Sequence, residues 1–272
     1  MNQESHGTPK RHRRMTTLGK QRTQVPRLRV GLPLSTACQA NDWIRTVLIA
    51  IEGIDGSGKG TQAKRLHQRM LDAGHTSELI SFPRYSETHF GRTIGRFLNG
   101  EFGQLDQVDP LLAATLYAAD RFESIGMLSE LLVTKDVVIA DRYVASNVAH
   151  QGAKKVGDER TALQDWILKT EHDVFRLPRA ELMIHLDLPA ETAQLLIARK
   201  SKRDYTDQAA DLQEADRDYL DSVRQAYLEL ASREPDWSTI SLLDDERLKS
   251  IDEVGEEIWK VAAALLDSGE NG

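Results

Sequence analysis

The sequence predicts an α/β fold: a doubly wound, mostly parallel five-stranded sheet with helices on both faces. Three observations predict it. Short continuous apolar runs recur along the chain and alternate with stretches of helical periodicity, as parallel strands buried on both faces should. A glycine-rich segment joins the first apolar run to the first helix. The 272 residues are 40% apolar and 28% charged, ordinary globular levels that exclude a disordered or collagen-like chain. The single cysteine, Cys38, forms no internal disulfide, so nothing points to secretion. No window approaches the roughly 18 consecutive apolar residues of a spanning helix.

Residues 1–44 precede the first of these elements. They are polar and show no periodicity. Residues 1–45 carry nine Lys/Arg against two acids. A disordered leader is the bland reading; an Arg-rich organellar transit peptide and a true start further downstream are the others. The remainder, 45–270, reads as one domain. From residue 46 onward, 26 basic residues face 40 acidic ones, a balance that argues against bulk nucleic-acid binding.

Val47-Leu48-Ile49-Ala50-Ile51 is the first buried strand. A helix follows from Lys59 to about Ala73, with Gly74 in the usual position for ending it. Leu79–Phe82 reads as a second strand. Asp109-Pro110 starts a helix, Asp as N-cap and Pro at the first helical position, which runs from Leu111 to about Val133. Asp136–Ala140 and Leu182–Leu188 are further strands, the latter entered after Pro178. Glu191–Arg199 and Asp211–Ser232 are helical. Ser238–Leu243 is the last strand and Leu248–Leu266 the last helix.

Gly53-Ile54-Asp55-Gly56-Ser57-Gly58-Lys59-Gly60-Thr61 lies between the first strand and the first helix. It fits G-x-x-x-x-G-K, the phosphate-binding loop, in the strand–loop–helix context the motif requires. Glycines let successive backbone N–H groups turn inward around a phosphate, and the helix N-terminus adds its positive end. Lys59 reaches the outer phosphates. The sheet is therefore expected to be of the P-loop NTPase type. Gly60 stands where the motif expects a Mg²⁺-ligating hydroxyl, and Thr61 comes one residue later. This weakens a GTPase or motor-ATPase reading. The GKGT variant resembles the nucleoside-monophosphate kinases.

Asp141 closes the run Val138-Ile139-Ala140-Asp141-Arg142-Tyr143. In a doubly wound sheet the C-terminal strand ends face the ligand crevice. A carboxylate there can hold Mg²⁺ or its waters, or form a strand-end salt bridge. Arg142 can grip a phosphate bidentately. Asp120-Arg121 taken alone would be a surface ion pair.

Glu52-Gly53 through Lys59, then Phe82-Pro83-Arg84-Tyr85, then Asp120-Arg121, then Asp141 through Asn147, together resemble the thymidylate kinase family in order and spacing, from about Leu48 to Leu266. The resemblance implies phosphoryl transfer from MgATP to dTMP, giving dTDP and ADP. Gly53–Thr61 would bind ATP. Phe82 would stack on thymine, Arg84 and Tyr85 would lie beside the acceptor nucleotide, and Arg121 would contact the base region. Arg142 would act at the acceptor phosphate, and Asn147 and Gln151 would face the thymine edge and sugar. Asp55 would lie near the acceptor 3′-hydroxyl and the metal, and Asp141 would hold the metal partly through water. A homodimer would form through helices at about 86–98, 110–133 and 143–151. The stripe Leu111-Leu112, Thr115-Leu116, Ala119 is compatible with that and equally with core packing.

Arg199-Lys200-Ser201-Lys202-Arg203-Asp204 corresponds to a lid, about 199–210. One subclass of the family carries an arginine where this chain has Gly56, and members lacking it supply the charge from the lid; Arg199 and Arg203 are the candidates here. Asp211 and Glu214 resemble the acidic D-x-x-E after the lid and are further metal candidates. Two positions depart from the pattern. His150 stands where the family usually has Tyr, beside the 2′ side of the acceptor sugar, and Gln213 stands where some relatives have Tyr. Two other functions stay open: another nucleoside-monophosphate or deoxynucleoside kinase, and a non-catalytic nucleotide-binding module. The expected partners are ATP and dTMP, with no nucleic acid and no membrane. The expected location is the cytoplasm, or an organelle if residues 1–44 are a transit peptide.

Overall fold

The computed structural model describes residues 46–103, 107–198 and 217–270; the leader 1–44 and the lid lie outside these. Five strands, β1 (Val47–Glu52), β2 (Ser77–Ser81), β3 (Val137–Asp141), β4 (Leu182–Asp187) and β5 (Trp237–Ser241), form one sheet in the order β2-β3-β1-β4-β5. Every pairing in it is parallel. A short antiparallel hairpin, β6 (Leu243–Asp244) and β7 (Arg247–Leu248), follows. The helices are α1 (Lys59–Asp72), α2 (His89–Leu98), α3 (Pro110–Glu123), α4 (Ile125–Thr134), α5 (Val144–Gly152), α6 (Gly157–Leu168), a π-helix (Lys169–Val174), α7 (Ala190–Ala198), α8 (Arg217–Arg233) and α9 (Ile251–Glu270).

The period-2 geometry of β1 shows why its sequence is apolar without a break. Val47, Ile49 and Ile51 pack with Leu66 and Met70 of α1, Val223 of α8 and Ile258 of α9. Leu48 and Ala50 pack on the other face with Leu128 of α4, Val148 of α5 and Ile167 of α6. A central strand covered by helices on both faces has no solvent side for polar residues.

The helix ends largely follow their signals. Asp109 accepts a hydrogen bond from Leu111 N at 2.8 Å, with Pro110 at the first helical position. Gly74 ends α1 with φ +91°. Two expectations need correction. The apolar stretch Leu111–Val133 is not one helix: it breaks at Ser124 (φ −92°, ψ 0°) into α3 and α4. Ser124 N bonds back three residues to Arg121 O at 3.1 Å. Its hydroxyl donates to Asp120 O at 3.0 Å and accepts from Arg84 Nη1 at 3.2 Å. The last helix starts at Ile251 rather than Leu248, because Ser250 and Glu253 form a reciprocal capping box: Ser250 N donates to Glu253 Oε2 at 2.7 Å and Glu253 N to Ser250 Oγ at 3.2 Å. Helix α6 and the π-helix were not expected. Among the described residues no helix is long and apolar enough to cross a membrane.

Candidate active site

The loop between β1 and α1 has the geometry of a phosphate cradle. Gly56 and Gly58 have φ of +86° and +82°, a left-handed backbone that suits glycine. A Cβ on Gly56 would also stand 2.7 Å from Ala193 O, so α7 closes the place where some relatives carry arginine. Gly58 caps α1 without a side chain, and no acidic residue lies in the first turn. The positive helix end is thus left for an anion. Ser57 Oγ is buried with no partner. Lys59 is buried and donates to Ile54 O at 2.7 Å. Burial, then the nearby Arg142 charge, lowers its pKa to about 7.

Register brings the second half of the site to the same edge of the sheet. Asp141 pairs with Ile51 on one side and Ser81 on the other, level with the strand end that feeds the loop. Its carboxylate sits against Gly60. Arg142 follows with φ +66°, a conformation that costs a non-glycine residue about 1–3 kcal/mol and persists where surroundings hold it. What holds it is visible. Its backbone N–H donates to Ile51 O at 3.1 Å. Nη2 donates to Asp55 Oδ1 at 2.5 Å, and Nη1 lies 3.2 Å from Ser146 Oγ, 3.2 Å from His150 Nε2 and 3.4 Å from Gly53 O.

Glu52, which received no role from the sequence, organises this edge. Its side chain is fully buried. Oε1 accepts from Tyr143 N at 2.7 Å and Ser146 N at 3.3 Å, at the start of α5. Oε2 accepts from Ser146 Oγ at 2.6 Å and Tyr227 Oη at 2.9 Å. The only local signal was an acid ending an apolar strand. It caps α5, whose nine residues are all buried and include Asn147, His150 and Gln151.

On the acceptor side, Asp120 and Arg121 are both buried and take different partners, so they are not a surface ion pair. Asp120 accepts from Arg84 N at 3.1 Å and from the Thr88 hydroxyl. Arg121 makes a two-pronged bond to Glu171 of the π-helix, Nε to Oε2 at 2.5 Å and Nη2 to Oε1 at 2.7 Å. Asn147 Nδ2 donates to the same Glu171 Oε1 at 2.8 Å and to Ala114 O at 3.0 Å. Glu171, too, was missed by the sequence. Phe82 is core-packed, its ring 6.0 Å from both the Arg121 guanidinium carbon and the Tyr143 ring. Asn147 Oδ1 and both amide atoms of Gln151 are buried without a partner, a costly state unless a ligand satisfies them. Arg84 and Tyr85 line a cleft of about 1000 Å³ between β2, α2 and α4 that contains none of the loop residues. His150 is buried beneath Arg142, with both ring nitrogens in contact with polar neighbours. Arg199, Arg203, Asp211, Gln213 and Glu214 lie outside the described residues.

A parallel sheet with a phosphate cradle at its central strand, an arginine-bridged carboxylate at its mouth and buried unpartnered amide atoms beside it defines a P-loop kinase of the nucleoside-monophosphate class. Residues 51–258 match the family model described as thymidylate kinase. The thymidylate kinase of Mycobacterium tuberculosis is 33% identical over 187 residues, 69% of this chain and 86% of that one. A probable thymidylate kinase of Thermococcus onnurineus is 34% identical over 203 residues, 72% of this chain and 90% of that one. The solved structure of a thymidylate kinase from Candida albicans superposes with a TM-score of 0.63 at 27% identity, covering 81% of this chain and 92% of that one. The chain belongs to the thymidylate kinase family, and the reaction of that family is the phosphorylation of dTMP.

Proposed function

We propose that this chain transfers the γ-phosphoryl group of MgATP to dTMP, giving dTDP and ADP, with the residue roles that follow. One observation carries them: buried atoms without protein partners, Ser57 Oγ in the loop and, in the acceptor pocket, Asn147 Oδ1 and both amide atoms of Gln151, belong to the two nucleotide sides of a site whose Arg142–Asp55 pair spans the mouth of the loop. Gly53–Thr61 hold the ATP phosphates. Lys59 and Arg142 neutralise charge on the transferred phosphoryl group, joined by Arg199 and Arg203 of the lid. Asn147 and Gln151 read the base edge, and Arg121, fixed by Glu171, backs it. Phe82 walls that pocket, while Arg84 and Tyr85 border the acceptor from the segment between β2 and α2. Asp55 orients Arg142 and lies beside the acceptor hydroxyl.

The donor chemistry suits Mg²⁺. Asp55 and Asp141 offer oxygen ligands beside the loop, and this ion is commonly held by one or two carboxylates, phosphates and waters. Asp211 and Glu214 are further candidates. When bound, the ion would supply charge neutralisation along the phosphates.

A homodimer fits the surface of α3. Leu111 and Leu112 are 40% and 62% exposed, whereas Leu116 packs against the Ile94, Phe97 and Leu98 cluster, so the first turn of α3 is the part of the stripe that a partner would cover. One cysteine in 272 residues supports a cytoplasmic setting. Organellar import would remove residues 1–44, which N-terminal sequencing of the cellular protein reads directly.

The test is an assay of ADP release with a panel of nucleoside monophosphates. The highest kcat/KM is expected with dTMP. Equal rates across the panel would overturn the acceptor assignment, and no turnover with any would overturn the kinase reading.

A further inference from the structure

His150 occupies the centre of a short hydrogen-bond chain. Its Nε2 lies 3.2 Å from Arg142 Nη1. Its Nδ1 lies 3.1 Å from the hydroxyl of Tyr219, the third residue of α8. That hydroxyl also donates to the His150 carbonyl oxygen at 3.1 Å. All three groups are buried or nearly so.

The donors fix the protons. A guanidinium has N–H groups and no acceptor, so Nε2 must present a lone pair. Burial, then the Arg142 charge, pushes the His150 pKa down to about 3, so the ring is neutral and carries a single proton. That proton is on Nδ1, and it points at the Tyr219 oxygen, whose own hydrogen is committed to the backbone. Which nitrogen of a histidine is protonated is set by the partner of the other one. Here the partner is Tyr219. The charges that act on the ring are Arg142, in contact with it, and at longer range Asp55, Lys59 and Lys154.

We infer that Tyr219 and His150 form a positioning pair for Arg142. Tyr219 locks the Nδ1–H tautomer, so that Nε2 always offers the guanidinium an acceptor and holds it over the loop. The inference rests on the role given above to Arg142. It adds Tyr219, on the helix that follows the lid segment, to that site. It also places His150 behind Arg142, acting through it.

Tyr219→Phe removes the hydroxyl and keeps the ring. The Nε2–H tautomer then becomes accessible and turns a donor toward a donor. We expect kcat to fall about tenfold, with KM for ATP changed by less than about twofold. Nitrogen-15 NMR of histidine-labelled protein should show Nδ1–H in the parent and a population of Nε2–H in the variant. His150→Gln places an amide oxygen near the Nε2 position and needs no tautomer. Its kcat should exceed that of His150→Leu at least about fivefold, and Tyr219→Phe should cost it less than about twofold. An equal effect of Tyr219→Phe in the parent and in the His150→Gln variant would reduce Tyr219 to packing and overturn the inference. So would an unchanged kcat in both Tyr219→Phe and His150→Leu while Arg142→Ala is impaired. If Arg142→Ala itself keeps the parent kcat, the reading that fails is the role of Arg142.

Discussion

Asp141 Oδ2 stands 2.9 Å from the point where a Cβ on Gly60 would lie. The carboxylate and a side chain at position 60 therefore compete for one place beside the phosphate loop. The common form of the motif fills that place with a hydroxyl; this chain fills it with a carboxylate from the next strand and keeps glycine. Gly60→Ala separates the two roles of the position. Alanine is about 1 kcal/mol better than glycine inside a helix, and Gly60 is the second residue of α1. The variant should melt no lower than the parent, yet its added methyl should push Asp141 aside and raise the Mg²⁺ needed for half-maximal rate several-fold. A matching Mg²⁺ titration would show that the carboxylate moves without consequence.

Asp141→Asn tests the same carboxylate from the other side. It keeps the shape and removes the charge that a Mg²⁺ ion or its water would use. The Mg²⁺ requirement should rise, while the circular-dichroism melt stays close to that of the parent. Combined with Asp141→Asn, Gly60→Ala should add little, because the two changes act on one group. Additive effects would mean that the residues act separately.

Local patterns carried the strands and the loop, because burial on two faces and a phosphate turn each leave a contiguous signature. They did not carry the groups that hold the site rigid. Glu52 meets Tyr227 across 175 positions, and Arg121 meets Glu171 across 50. No periodicity records such pairings. Glu171 is further hidden because it sits in a π-helix, whose spacing differs from the 3.6-residue period that reveals an α-helix. The break at Ser124 escaped for the opposite reason. Apolar residues continue on both sides of it, and a serine that bonds back to its own helix leaves the pattern unbroken while the axis changes. His150 was visible as a departure from its family, but its role depends on Tyr219, 69 positions away.

Arg142 should matter more in the transition state than in binding. Its guanidinium is pre-aimed by Asp55, Ser146 and His150, so its charge is in place before the reaction. Arg142→Ala should lower kcat by about 10²-fold or more, on the order of 3 kcal/mol. A variant whose kcat stays within about threefold of the parent, with only KM raised, would make Arg142 a binding residue.

Lys59 links nucleotide binding to proton uptake. Its pKa is depressed from 10.5 to about 7 in the free protein, so between those values the unfolded chain holds a proton that the folded one lacks. This group alone therefore lowers stability as pH falls from 10.5 toward 7, and its contribution is level below that. Phosphates restore the charged form. Titration calorimetry of ADP at pH 8, in buffers of different ionisation heat, should report net uptake of a substantial fraction of a proton per site. Lys59→Arg, charged throughout, should show none. Uptake of equal size in both proteins would place the proton elsewhere.

Glu171 is the remaining anchor and the one whose loss should cost most stability. It is fully buried, and it receives two bonds from the buried Arg121 and one from Asn147. Removing one partner of a buried ion pair leaves an uncompensated charge and typically costs about 3–5 kcal/mol, whereas replacing both by apolar residues of similar volume is often neutral. Glu171→Gln should thus lower unfolding free energy in urea by about 3 kcal/mol. The double variant Arg121→Met, Glu171→Leu should recover most of that loss. Its activity should not recover, because Arg121 backs the acceptor base and Asn147 loses the carboxylate that aims its amide. KM for dTMP should rise while KM for ATP stays near that of the parent. A double variant that regains both stability and the parent KM for dTMP would confine the Arg121–Glu171 pair to the core and remove it from base recognition.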